Sequence, residues 1–224
     1  MTRPQIRLAA CALTMAAVVV AYLWIDQPLA FLAYKDRIFY RFFVDLTLIP
    51  EPIPGLALII FFALGLWAVV AKPASKLYTV LLTCSVSVIV AEATKSQLKY
   101  IFGRTWPETF VNNNPSLISN NAYGFNFFHG GPGYASFPSG HMTVICAVVS
   151  VLWIYYPKFR TLYALVVAAV ALGLIGADYH FLSDIIAGSL LGTITGWFAA
   201  ALQEQAARRI AVVKQAGPTP GKGV

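Results

Sequence analysis

Apolar residues occur along this chain in long uncharged runs that are separated by short polar segments. A helix needs about 20 apolar residues to cross the hydrocarbon core of a bilayer, and each run approaches that length. The pattern therefore predicts six transmembrane helices, over residues 8–25, 56–71, 77–98, 142–156, 161–177 and 185–202. Because several runs are short for a bilayer, we expect the helix ends to extend beyond these limits.

Three segments depart from this pattern. Residues 26–49 mix charged side chains with many aromatic ones, which predicts a helix lying at the membrane interface. Residues 105–136 form a long external loop between the third and fourth spans, and their aromatic content favours a lid over disorder. Residues 205–224 are polar and predict a disordered cytoplasmic tail after a single transmembrane domain over residues 1–204.

Composition and charge support this all-α membrane bundle. Hydrophobic residues make up 58% of the chain and charged residues 11%, and the mean hydropathy is +0.70, which excludes an ordinary soluble domain. With the N-terminus inside, ten of the 16 Lys and Arg residues are cytoplasmic, so we expect both chain ends there. The net charge of +7 is then mostly a topology signal, and we expect no nucleic-acid partner.

Small residues within the predicted spans are interpreted as packing residues. The three cysteines lie in separate spans, which predicts neither a disulfide framework nor a metal site. Gly188, Gly192 and Gly196 recur at every fourth position of the last span, which predicts a close approach of two helices.

Three polar clusters are brought to one membrane face by the alternating topology. One cluster, with Lys99 and Arg104, follows the third span; another, residues 138–141, precedes the fourth; and residues 178–184 join the fifth span to the sixth. Ionisable groups at such depth are costly, which favours a functional role. The sequence therefore predicts a site where these helix ends meet.

The second cluster has the residue types of an anion-binding helix start. Pro138 near the first helical position predicts a helix whose unpaired N–H groups and dipole attract phosphate. Ser139 adds a hydroxyl group, Gly140 lets a ligand approach the backbone, and His141 can carry a proton near neutral pH.

His180 and Asp184 are four residues apart, so they share a helix face if the sixth span begins by His180. A carboxylate that accepts from one imidazole nitrogen leaves the other free to attack and stabilises the resulting imidazolium. Alternatively, His180 only satisfies a backbone carbonyl. The presence of Lys99, Arg104 and His141 on the same face favours the functional interpretation.

The third span carries charge below the predicted site. Glu92 and Lys95 are three residues apart, and we interpret them as a buried ion pair. Lys99 has no acidic neighbour in sequence, which suits a waiting anion, and the planar fork of Arg104 suits phosphate oxygens.

These clusters resemble the signature of the type-two phosphatidic acid phosphatase superfamily. The family pattern is Lys, six residues and Arg-Pro; then Pro-Ser-Gly-His; then Ser-Arg, five residues, His, three residues and Asp. Lys99 and Pro107 fit the first motif, residues 138–141 are the second, and His180 and Asp184 fit the third. The resemblance covers residues 95–200, roughly.

Two arginines of this pattern are absent from the chain. Trp106 stands at the arginine position of the first motif, and Gly173 and Leu174 replace the Ser-Arg of the third. Arg104 lies two positions before Trp106, and we expect it to take over one of these phosphate contacts.

The resemblance also implies roles for individual residues. His180 would attack phosphorus and form a phosphohistidine, Asp184 would orient His180, and His141 would protonate the leaving oxygen and then activate water. The implied phosphate-binding residues are Lys99, Arg104, Ser139 and Gly140, and the implied lid or auxiliary residues are His129, Trp106 and Lys95. The resemblance implies no metal and no other cofactor.

The function implied by the resemblance is that of an integral membrane phosphatase. Its substrate would be a lipid phosphate or diphosphate of the phosphatidic acid, phosphatidylglycerol phosphate, undecaprenyl diphosphate or lipid A type. Its site would face the periplasm of a bacterial inner membrane. The alternatives are a lipid phosphotransferase and a non-catalytic lipid-binding protein. The missing arginines favour the non-catalytic protein, whereas the retained His141, His180 and Asp184 oppose it.

Overall fold

Helices account for nearly all of the regular structure. The computed structural model describes residues 3–35, 37–71, 75–110 and 113–216, and these ranges contain no β-strand. The helices are α1 (Arg3–Val20), α2 (Asp26–Lys35), α3 (Tyr40–Thr47), α4 (Ile53–Ala71), α5 (Lys76–Phe102), α6 (Leu117–Asn120), α7 (Gly140–Tyr155), α8 (Arg160–Gly176) and α9 (Leu182–Ala216). A π-helical turn, Ala21–Ile25, joins α1 to α2.

Five helical stretches of the described chain are long and apolar enough to cross a membrane. They are Gln5–Lys35, Ile53–Ala71, Lys76–Phe102, Pro157–Gly176 and Leu182–Val212. The sixth predicted span is the shorter apolar helix α7, which lies inside the bundle and packs against α5, α8 and α9. The predicted all-α transmembrane bundle is therefore confirmed, and several spans extend past their apolar runs as expected.

The glycines of α9 bring it against α7, as the four-residue spacing predicted. A Cβ atom on Gly188 would lie 2.5 Å from the carbonyl oxygen of Ser139, and one on Gly192 would overlap the carbonyl oxygen of Thr143. Helix α9 therefore cannot tolerate a larger side chain at these two positions, and the close crossing holds the start of α7 beside the start of α9.

The segment between the first two spans differs from the single interfacial helix predicted for residues 26–49. Residues 26–35 continue the first span as α2, because Asp26 is buried and neutralised by an ion pair with Arg104. The separate helix is the short α3, which packs on α8 where Gly173 leaves room for Leu46.

The predicted disordered tail is partly helical. The last helix continues to Ala216, so residues 205–216 belong to α9, whereas residues 217–224 lie outside the described residues.

The described part of the loop over residues 105–136 is held by aromatic stacking and short backbone bridges. Tyr123 stacks on Tyr22 with ring centroids 5.0 Å apart, and a bridge joins Trp106 to Ser116. The Phe128 N–H also donates to the carbonyl oxygen of Ile101 on α5 at 2.9 Å, so the loop lies across the turn after α1 and the end of α5, at the face where the polar clusters meet.

Candidate active site

The ends of α5, α7 and α9 meet at one face of the bundle, as the alternating topology predicted. The rings of His141, on the first turn of α7, and His180, just before α9, have centroids 6.1 Å apart. Lys99, on the last turns of α5, shares a groove with His141. Residues from three helices thus form one site.

His180 is held on its Nδ1 side. Nδ1 lies 3.5 Å from Asp184 Oδ2 and 3.4 Å from the hydroxyl of Ser136, which donates to the same carboxylate at 2.5 Å. Because α9 begins at Leu182, His180 precedes the helix, and Asp184 reaches back to it from the first turn. With Nδ1 on the acidic side, Nε2 is the nitrogen available to attack a substrate.

Burial determines the protonation state of His180, which is only 4% exposed. Burial lowers the pKa of His180; the Asp184 carboxylate raises it without offsetting burial, and the Lys99 and Arg104 cations lower it further. The imidazole is therefore neutral near pH 7, which is the form that carries a lone pair for attack.

Trp106 gives the site an aromatic wall at a position where the family signature has a cation. Its ring centroid lies 5.1 Å from that of His180 and 5.6 Å from Lys99 Nζ. The indole N–H donates to the carbonyl oxygen of Pro132 at 2.8 Å, which fixes the ring between these two residues.

The second missing arginine is replaced by core packing. Leu174 is completely buried and packs in a cluster with Met142 and Ile185. Position 174 therefore contributes to the junction of α7, α8 and α9 and offers no polar group to a ligand.

Arg104 lies deeper than its expected phosphate-binding role requires. The residue has no exposure, and its two terminal nitrogens are engaged by carboxylates: Nη1 donates to Asp184, and Nη2 donates to Asp26 at 2.8 Å. Nη1 also donates to Ser183 Oγ at 2.6 Å, and Nη2 to the hydroxyl of Tyr123 at 3.2 Å. The expectation that Arg104 replaces a phosphate-binding arginine is corrected here, because these contacts occupy both ends of the guanidinium fork.

The charges around Arg104 stabilise one another. Burial alone lowers the pKa of Arg104, but the Asp184 and Asp26 carboxylates more than offset this effect and raise it. The guanidinium therefore stays charged and fixes the Asp184 carboxylate that faces His180.

Sequence reasoning missed three residues of this network. Asp26 accepts from the Ser183 backbone N–H at 2.9 Å, and Ser136 bridges His180 and Asp184. Asp26 had one detectable signal, since it is an acidic residue directly after an uncharged run of 18 residues, over 8–25. Ser183 lies in the predicted cluster of residues 178–184, but no sequence signal pointed to its contact with Asp26, and Ser136, in the loop before α7, had no signal.

The start of α7 has the geometry of a capped helix. Ser139 is the N-cap residue, with its hydroxyl 3.5 Å from the Met142 N–H, and its own N–H donates to the carbonyl oxygen of Asp184 at 3.0 Å. The predicted helix start is confirmed, whereas phosphate binding by Ser139 and Gly140 remains a prediction.

A groove of about 210 Å³ opens beside this helix start. Its charged and polar lining comes from the turn before α4, from α5 and from α7, and consists of Glu51, Glu92, Lys95, Lys99 and His141. The predicted ion pair of Glu92 and Lys95 is confirmed, with Lys95 Nζ 2.6 Å from a Glu92 oxygen, but the pair is only part-buried, because the Glu92 side chain is 31% exposed. The groove therefore combines two ammonium groups with an imidazole.

His129 lies on the loop and is exposed, with its ring 4.2 Å from that of Tyr134. It makes the loop contact expected of an auxiliary residue, and its lid role remains a prediction.

Asp178 is an unusual buried acid two residues before His180. Its backbone is left-handed, with φ of 57°, and its Oδ2 atom has no hydrogen-bond donor among the described residues. Burial and the nearby Glu108 raise the pKa of Asp178 to about 7, and Arg37 opposes them.

Comparison with known proteins identifies the family. Residues 80–208, which are more than half of the chain, match the PAP2 superfamily. The chain belongs to the PAP2 superfamily. The PAP2 region contains the groove lysines, both site histidines and Asp184, whereas Asp26 and Glu51 lie before it.

Two curated relatives share part of this PAP2 region. The chain is 33% identical to the lipid A 1-phosphatase of Rhizobium etli over 105 residues, which are 45% of this chain and 39% of the relative. It is 32% identical to the lipid A 1-phosphatase of Rhizobium johnstonii over 105 residues, or 45% of this chain and 37% of the relative. The matches thus span under two fifths of either relative.

A solved PAP2 structure shares the fold. The first transmembrane PAP2-type phosphatidylglycerolphosphate phosphatase from Bacillus subtilis superposes with a TM-score of 0.51 at 15% identity. The match covers 87% of this chain and 96% of the Bacillus protein. Together with its apolar helices, this shows that the chain is a multi-pass membrane protein.

Proposed function

We propose that this protein is an integral membrane phosphatase that hydrolyses a lipid phosphate or diphosphate through a phosphohistidine at His180. The observation that carries the proposal is the pairing of His141 with a buried His180 that Asp184 holds on its Nδ1 side. A neutral nucleophile, a second imidazole and a groove with two lysines are suited to phosphoryl transfer, because they supply the attacking atom, a proton carrier and positive charge for the phosphate oxygens.

In the first step, His180 Nε2 attacks phosphorus in line with the bond to the lipid oxygen. The N–P bond forms, the P–O bond breaks, and His141 donates a proton to the departing oxygen. The negative charge on the equatorial oxygens is stabilised by Lys99 and by the backbone N–H groups at the start of α7. Asp184 stabilises the positive charge that develops on His180.

In the second step, His141 removes a proton from a water molecule that attacks the phosphohistidine. The new P–O bond forms as the N–P bond breaks, which releases inorganic phosphate and restores both histidines. No step in this scheme needs a metal ion.

An apolar cavity supports a lipid substrate. The cavity, of about 240 Å³, lies between α4, α5 and α7, the helices that also contribute to the groove. Its lining includes Val88 and Val148, each one helical turn from a groove residue, Glu92 and Val144 respectively. An acyl or prenyl chain in this cavity would carry its phosphate directly above, in the groove.

The relatives' names suggest lipid A and phosphatidylglycerol phosphate as substrates to test.

We further propose that the site faces the periplasm of a bacterial inner membrane with both chain ends in the cytoplasm, as the distribution of basic residues favours.

The test is phosphate release by detergent-purified protein, with a chelator present. The substrates are lipid A, phosphatidylglycerol phosphate, phosphatidic acid and undecaprenyl diphosphate, and His180→Ala is the control. We expect release from at least one lipid by the wild type and none by the variant. Transfer of labelled phosphate to a second lipid would instead indicate a phosphotransferase, and no reaction with any lipid would indicate a non-catalytic protein.

A further inference from the structure

We propose that Lys95 is a second phosphate-binding cation of this site, which acts with Lys99 in place of an arginine that the family signature has and this chain lacks. The inference deepens the proposed function and rests on it, because it takes phosphate as the ligand of the groove.

The position of the Lys95 ammonium group is the first argument. Lys95 lies one helical turn before Lys99, so both side chains leave the same face of α5. Its Nζ is 3.3 Å from the point that a Cβ atom on Gly140 would occupy, which places the charge against the first residue of α7. A helix start is where backbone N–H groups and the helix dipole favour an anion.

The contacts of Lys95 leave it able to bind a ligand. Its side chain is 16% exposed and forms an ion pair with Glu92 at 2.6 Å. An ammonium group has three N–H donors, so one bond to Glu92 leaves two for phosphate oxygens. Glu92 thus holds the Lys95 side chain in place within the groove that it shares with Lys99 and His141.

The other cations near the site do not serve this purpose. Arg104 is enclosed between Asp26 and Asp184, and the two arginine positions of the signature hold Trp106 and Leu174. Among the described residues that line the groove, the cations are Lys95 and Lys99. A terminal phosphate with close to two negative charges matches two ammonium groups better than one.

The competing explanation is that Lys95 only neutralises the Glu92 carboxylate inside the membrane. A double substitution separates the two roles. Lys95→Met alone leaves an unpaired carboxylate, whereas Lys95→Met combined with Glu92→Gln removes both charges and keeps the helix neutral.

The measurement is the affinity for inorganic phosphate, taken both from inhibition of lipid phosphate hydrolysis and from thermal stabilisation of the detergent-solubilised protein. We expect Lys95→Met, and equally the double variant, to weaken phosphate binding about ten- to hundredfold, the loss of a charged hydrogen bond. Lys95→Arg should keep most of the affinity, and Glu92→Gln alone should increase it. Lys76→Met, at the opposite end of the same helix, should bind phosphate as the wild type does.

Wild-type affinity in the double variant would overturn the inference, because Lys95 would then be needed only to balance Glu92. Failure of phosphate to inhibit or stabilise the wild type would overturn it as well. Since thermal stabilisation needs no turnover, a protein that binds phosphate but hydrolyses no lipid would refute the proposed function while still deciding the role of Lys95.

Discussion

Arg104 joins α2, the loop and α9 through a single side chain. Its guanidinium contacts Asp26 at one end and Asp184 at the other, and the rings of Phe181 and Tyr22 lie 4.4 and 5.1 Å from its carbon Cζ. A fully buried charge is stable only while its partners remain, so this residue supports the position of Asp184 and, through it, that of His180.

Replacing Arg104 should therefore destabilise the folded protein. Arg104→Met leaves two buried carboxylates unpaired, which should lower the free energy of unfolding by about 3–5 kcal/mol. Denaturant unfolding in detergent measures this loss, and Arg41→Met, at an exposed arginine, is the control that should change stability little. Equal stabilities of the two variants would contradict the structural role.

Asp178 should make stability depend on pH. The folded protein keeps the Asp178 proton up to about pH 7, whereas the unfolded chain loses it near the ordinary value of 3.8. Between these pH values the folded state binds more protons, so stability should fall as pH rises from about 4 to 7. The upper limit of the loss is about 4 kcal/mol, at about 1.4 kcal/mol per pKa unit.

Asp178→Asn removes this titration and should flatten the pH dependence, with a gain in stability at pH 7 and above. The exposed Asp45→Asn is the matched control and should keep the wild-type slope. A slope that is the same in all three proteins would show that Asp178 is ionised in the folded state.

The individual site residues differ in how far the sequence could predict them. His141, His180 and Asp184 follow from short motifs, because the spacing of the motif residues is local. The role of Arg104 does not, because its partners Asp26 and Asp184 lie 78 and 80 residues away along the chain. Only tertiary structure reveals that its charge is already matched.

At the level of helices, the crossing of α7 and α9 sets the distance between His141 and His180. Gly192 allows this crossing, because a methyl group there would overlap the Thr143 carbonyl oxygen. Gly65 in α4, in contrast, has nothing within 4 Å of a Cβ atom.

Gly192→Ala should consequently destabilise the bundle and reduce activity. We expect a loss of about 1–3 kcal/mol from overpacking, measured by thermal or denaturant unfolding in detergent. The same change at Gly65 should be neutral or stabilise by up to about 1 kcal/mol, because alanine favours a helix over glycine. If Gly192→Ala behaved like Gly65→Ala, the close crossing would be wrong.

The helices were largely predictable, because a chain segment inside the membrane must satisfy its own backbone hydrogen bonds and a helix does so. Each helix therefore coincides with a long apolar run. The extent of the first span was not, because Asp26 resembles the end of a membrane helix. The ion pair with Arg104 offsets the cost of burying the Asp26 carboxylate, so the helix continues to Lys35. The tail after residue 204 also differs from the disordered segment that its composition predicted, because residues 205–216 extend α9.

At the scale of the whole molecule, both sides of the membrane can be assigned by labelling. In a variant without its three native cysteines, Asn113→Cys on the long loop should react with an impermeant thiol reagent in intact cells. Lys158→Cys, between α7 and α8, should react only after lysis, because it lies at the opposite end of the bundle. The reverse pattern would place the site on the cytoplasmic side.

The central claim is that His180 carries the phosphoryl group during the reaction, and His141→Ala tests it most directly. An aryl phosphate needs little acid assistance to leave, but water still needs its base, so this variant should complete the first step and stall at the second. Mass spectrometry of the intact chain should then show one acid-labile, base-stable phosphate at His180. His180→Ala should carry no phosphate and show no turnover, whereas turnover by His180→Ala would contradict the account.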